Sequence, residues 1–236
     1  MNAIKPSISN LFEGSQEDKF RENFSQFLLF GDPMAYQKRV LPKIEKYKRL
    51  VFNGFQEISA SYYTIRDIEI LFRSITSRSS KVKKSRLLSY HVHNYLNEIY
   101  ILKTRLEQYP VKILRASKQW KKDLYLVETI NEVISATFEN IVAVRGTHVH
   151  LSRYSDDDLT RLLMLELLSE PEGQLGEAFR ELFKAEFTIC RRTWLERMHT
   201  NNDSILEILD AYFTVLLPLI FDETGNIIFP MKLPSA

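Results

Sequence analysis

Glycine and proline are scarce, 7 and 8 of 236 residues. Both interrupt regular structure, so few turns can be built. A sandwich or barrel of many short strands needs a turn signal every ten residues or so and is excluded. Cysteine is nearly absent. The single Cys190 cannot form a disulfide within the chain, which excludes a disulfide scaffold. No apolar run approaches the ~20 residues that span a bilayer. The longest, 211–221, is interrupted by Thr214 and Pro218. Net charge is also small, +2, while hydrophobic residues make up 44% of the chain, which excludes disorder. The expectation is a cytoplasmic all-α protein, with no membrane contact and a buried structural thiol at Cys190.

Apolar residues recur at helical spacing along most of the chain. A short helix is predicted over about Lys19–Phe30, with Phe20, Phe24, Phe27 and Leu28 on one face. A long one follows over Lys43–Ile75, striped by Ile44, Tyr47, Val51, Phe55, Ile58, Tyr62, Ile65, Ile68 and Phe72. A basic loop, Ser74–Ser85, separates it from a helix over Arg86–Tyr109. There Leu88, Val92, Tyr95, Ile99, Leu102, Leu106 and Tyr109 alternate steps of four and three, a seam for antiparallel packing. Pro110 is expected to end that helix.

The next helix is predicted over Leu114–Val144, with Trp120, Leu124, Val127, Asn131, Ile134, Phe138 and Ile141 in line. Ser155 and Asp158 read as a capping pair for a helix over Asp156–Ser169. Further helices are expected over Gly176–Met198 and, after Asn201-Asn202-Asp203, over Ser204–Phe221. The last is apolar on nearly all sides and reads as central. A turn at Asp222–Asn226 leads to an extended tail. The expected architecture is a single all-α domain over 1–236. It is a helical bundle of long antiparallel helices with extra C-terminal helices and short extended termini.

The small net charge conceals an asymmetry. Residues 73–122 hold thirteen basic and two acidic residues, a net +11. The remainder is therefore acidic. Lys81, Lys83, Lys84, Arg86, Lys118, Lys121 and Lys122 are the candidates for contact with a polyanion such as RNA.

Most chemical signatures are missing. The glycines are scattered, so no phosphate-cradling loop exists. The chain has no His-Glu-x-x-His, no paired cysteines and no Gly-x-Ser-x-Gly, and no metal site or cofactor is assigned. Five histidines remain. His91 and His93 are two apart on a predicted helix, about 200° around it, and cannot share a metal ion. His148 and His150 follow a break at Gly146. Extending the seam of the Leu114–Val144 helix by one step reaches Arg145. A guanidinium is permanently charged and rarely buried without an anion. Arg145 can fork onto phosphate oxygens, and a histidine folded back towards it can exchange a proton near neutral pH.

Arg145-Gly146-Thr147-His148-Val149-His150 resembles the Arg-x4–6-His motif of the HEPN superfamily of helical bundle proteins. Residues 91–109, HVHNYLNEIYILKTRLEQY, are similar to the second helix of some HEPN groups. The resemblance covers about residues 40–170 and leaves 171–236 as a C-terminal helical extension. It implies a metal-independent endoribonuclease of toxin–antitoxin or antiviral systems, acting as a homodimer whose two chains each supply one motif. An antitoxin or inhibitor protein is a further implied partner. Arg145 would hold the scissile phosphate and His150 would move the proton, with His148 assisting. Glu98 or Asn94 would orient the imidazole. Many active members carry Asn, Asp or His after the arginine, where this chain has Gly146. The second reading is therefore a catalytically silent helical module that binds nucleic acid or protein.

Overall fold

The structure is a computed structural model and describes residues 43–75, 82–117, 125–139, 156–170, 174–222, 225 and 227–228. About 92% of these are helical, in five helices and without a strand. The helices are α1 (Lys43–Ser74), α2 (Lys84–Ser117), α3 (125–139), α4 (Asp157–Leu168) and α5 (Gln174–Ile220). The all-α bundle is thus the observed class. The predicted helix at Lys19–Phe30, the break over 140–155 and the tail beyond 228 lie outside the described residues.

The apolar stripes form the core as periodicity requires. Every residue of the α2 seam is buried: Leu88, Val92, Tyr95, Ile99, Leu102, Leu106 and Tyr109. On α1, Tyr47, Val51, Ile58, Tyr62, Ile65, Ile68 and Phe72 are buried, and Phe55 is half-buried with its ring on Phe213. On α3, Val127, Ile134 and Phe138 are buried, joined by Ile130.

The chain gathers into two compact units, each assembled from separate segments. One comprises Met1–Ile58, Arg105–Val133 and Leu206–Ala236. In it α1 and α2 cross closely at Gly54, where a β-carbon would overlap the Tyr109 ring. The Tyr109 hydroxyl donates to the Val51 carbonyl at 2.7 Å. The other unit comprises Ser59–Thr104 and Ile134–Ile205. Its α4 and α5 are joined by a short connection.

Pro110 does not end α2, which continues to Ser117 and so absorbs the start of the predicted Leu114–Val144 helix. Proline removes the N–H that would bond the carbonyl four residues back. That carbonyl belongs to Leu106, and it accepts instead from the Tyr212 hydroxyl at 3.0 Å. The buried group is thereby satisfied, and the helix passes through the proline.

Two helices predicted over 176–198 and 204–221 are one helix of 47 residues, α5. Asn202 does not cap a helix start. It is buried, donates to Glu69 Oε2 at 2.7 Å, and accepts from the Tyr95 hydroxyl at 2.9 Å. Engaged in this way, its side chain cannot satisfy the backbone N–H groups of a new helix, and the helix does not restart. The end of α5 is not buried on all sides either. Ile205, Leu209, Tyr212, Phe213, Leu216 and Ile220 are buried, while Val215 is exposed.

α4 is capped by Asp156 rather than by Ser155. The Asp156 backbone is extended, and its carboxylate accepts from Leu159 N at 3.1 Å. Asp157 and Asp158 add charge that the helix N-terminus favours. At the far end, Gly225 at φ 78° makes the predicted turn, and Phe221 and Ile227 form an isolated antiparallel bridge.

Candidate nucleic-acid interface

Apart from Arg73 at the end of α1, the described basic residues of this stretch lie on α2 or next to its N-terminus. The first N–H groups of a helix point outward unpaired and attract an anion. Here a carboxylate from α4 fills that place. Glu166 accepts from Lys84 N at 2.8 Å, from Ser85 N at 3.1 Å and from Ser85 Oγ at 2.5 Å. Beside it, Lys83 Nζ meets Glu170 Oε1 at 2.5 Å. Lys84 Nζ lies 5.9 Å from the centre of the Phe187 ring, a cation–π contact. Arg86 is exposed, and so is Tyr90 one turn further on. The chain brings two glutamates to the lysines that the sequence assigns to RNA. That pairing was not legible in the sequence, because Glu166 stands 82 residues from Lys84.

His91 and His93 both lie on α2, as expected, and do not converge. His91 makes edge contacts with the Phe72 and Tyr90 rings, and burial lowers its pKa. His93 Nδ1 is bound to the Ser89 carbonyl one turn back, at 2.5 Å. Asn94 is half-buried on the same helix. Glu98 accepts from Ser61 Oγ at 2.8 Å, a contact from α1 to α2. Arg145, His148, His150, Lys81, Lys118, Lys121 and Lys122 lie outside the described residues. The helix that precedes Arg145 is described through Glu139. Its seam residue Asn131 buries an amide oxygen that has no hydrogen-bond partner among the described residues.

A polar cluster that the sequence reading missed centres on Glu69 of α1. Its Oε1 accepts from Arg73 at 2.8 Å and its Oε2 from Asn202. His199 approaches at 3.9 Å and also reaches Asp203 at 3.6 Å. Tyr95 completes the network. A tyrosine at a fully buried seam position must find a partner for its hydroxyl, and that was the available signal.

Cys190 is buried on α5, and burial, with Asp156 and Asp158 nearby, pushes its thiol up to about 12. It is a structural thiol, not a nucleophile. Among the described residues no three His, Cys, Asp or Glu side chains gather as metal ligands. No described helix is long and apolar enough to cross a membrane. No protein-family model matches the chain, and no curated protein or solved structure matches it either.

Proposed function

We propose that the chain is a metal-independent endoribonuclease of the HEPN type, with Arg145 and His150 as its working pair. The observation that carries the reading is the Arg145-x4-His150 motif, which begins six residues beyond the described end of α3, a helix with a buried seam. Val127, Ile134 and Phe138 hold that seam in the core. The all-α architecture supports the same reading.

The chemistry follows from the residue types. Arg145 forks onto two oxygens of a phosphodiester and offsets the charge that builds there. His150 takes the proton of the ribose 2′-hydroxyl, whose oxygen attacks phosphorus. The 5′-oxygen leaves and is protonated, leaving a 2′,3′-cyclic phosphate and a 5′-hydroxyl. His148 is the second imidazole within reach of the proton transfer. One motif per chain calls for two chains per composite site, hence a homodimer. In a toxin–antitoxin or antiviral setting an inhibitor protein would restrain it.

The test is incubation of the purified protein with RNA in EDTA. Cleavage with cyclic-phosphate ends is expected, with Arg145→Ala and His150→Ala each losing it while far-ultraviolet circular dichroism is unchanged. RNA left intact by the wild type with and without metal ions refutes the nuclease. The second reading, a silent module that binds nucleic acid, is favoured by the net +11 of residues 73–122. It predicts affinity that falls with salt and survives His150→Ala.

A further inference from the structure

The outer faces of α4 and α5 carry apolar residues away from the core. On α5, Leu175 is 73% exposed, Leu182 52% and Ile189 49%. They stand seven residues apart, and Ala178 and Ala185 fall between them, both exposed. This is a heptad stripe alternating large and small residues. It lies on the side opposite the buried Phe183, Phe187, Cys190 and Trp194. On α4, Met164, Leu167 and Leu168 are 54%, 43% and 48% exposed. The two helices are consecutive, separated by five residues in the chain, and α4 and the first part of α5 belong to one compact unit. An ion pair from Arg161 to Glu186, at 2.7 Å, links their edges. Leu168 lies two turns from Arg161, and Leu182 and Ile189 lie one turn either side of Glu186. Both apolar stripes therefore run beside that ion pair.

We propose that a second copy of this chain docks on this face, α5 against α5 in antiparallel orientation, with the two-fold axis passing between Leu182 and Ala185. The area supports a copy rather than a small ligand. At those exposures the six large side chains present on the order of 600 Å² of apolar surface, and a standard interface of about 800 Å² per partner needs roughly 500 Å² of it. The pattern supports self-pairing. A two-fold interface requires that when residue i meets j, j also meets i. About this axis Leu182 meets the partner's Ala185 and Ile189 meets the partner's Ala178, with both contacts repeated by symmetry. Leu182 and Ile189 thus each fall on a small side chain, and Leu175 falls on the aliphatic stem of the partner's Arg192. The flanking positions set Glu181 opposite Thr188 and Phe179 opposite Glu186, so no like charges face each other.

The inference shares with the nuclease reading the expectation of a homodimer and adds the face that forms it, and its test reads mass and cross-linking while that of the nuclease reads cleavage. Light scattering of the full chain should give twice the chain mass. Leu182→Glu should weaken self-association on the order of 100-fold and give a monomer with unchanged helicity. As a second measurement, a Leu182→Cys chain mixed with an Ala185→Cys chain should form disulfide-linked dimers faster than either chain alone. The buried Cys190 does not compete. A monomer at every concentration up to about 100 μM overturns the proposal and leaves the face to the chain's own 19–30 segment or to another protein. A dimer that Leu182→Glu leaves intact, or a mixture that does not cross-link preferentially, overturns it equally.

Discussion

Tyr212→Phe removes one oxygen, and its cost should depend on a proline in another helix. The Leu106 carbonyl is fully buried and lacks a helical partner because Pro110 has no N–H. The Tyr212 hydroxyl is its donor, at 3.0 Å. Deleting that hydroxyl leaves the carbonyl unsatisfied, which costs about 1–3 kcal/mol. The phenylalanine ring keeps the packing, so little else changes. In a Pro110→Ala background residue 110 regains its N–H and can bond Leu106 itself. The same Tyr212→Phe change should then cost about 1 kcal/mol less. Urea titrations of the four proteins, followed by circular dichroism at 222 nm, measure the coupling as a double-mutant cycle. Equal costs in the two backgrounds would refute the account of how α2 passes through its proline.

Two further predictions follow from the unit that comprises Ser59–Thr104 and Ile134–Ile205. Asn202→Asp places a second carboxylate 2.7 Å from Glu69 Oε2 in a buried site, and should cost roughly 3 kcal/mol. Adding Glu69→Gln restores a donor to the pair and should recover most of the loss in thermal unfolding; no recovery would mean that the network is not the cause. Burial lowers the His91 pKa, so the folded state binds that proton less readily than the unfolded chain. Its share of stability is full above the ordinary imidazole value of about 6.5 and is lost as pH falls below it. The urea midpoint should drop less between pH 8 and pH 5.5 for His91→Phe than for the wild type, and an identical drop would remove His91 from the account.

What was legible in the sequence was what depends on neighbours along the chain. The seven seam residues of α2 are all buried because a local period of three and four fixes which face turns inward. Two of the misreadings share one cause, which is a polar group answered from far away. Pro110 looked like a terminus because its compensating donor, Tyr212, bonds a carbonyl 106 residues from it. Asn202 looked like a cap because Glu69, its acceptor, lies 133 residues off. The cap of α4 moved by one residue because three aspartates in a row, Asp156–Asp158, offer the same chemistry at adjacent positions. Of the candidate site, the residue types and their spacing could be read, but the internal acids that meet Lys83 and the α2 N-terminus could not.

The carboxylates at the start of α2 change how the basic stretch should be counted. A lysine that binds a phosphate normally releases a condensed counterion, and that release sets the salt dependence of binding. Lys83 already holds Glu170, and the α2 N-terminus already holds Glu166. A polyanion arriving there exchanges one anion for another and releases little. The sensitivity of any nucleic-acid binding to salt should therefore be shallower than the number of lysines and arginines in residues 73–122 suggests. The α4–α2 contact acts as an internal competitor whose strength sets a threshold for that exchange.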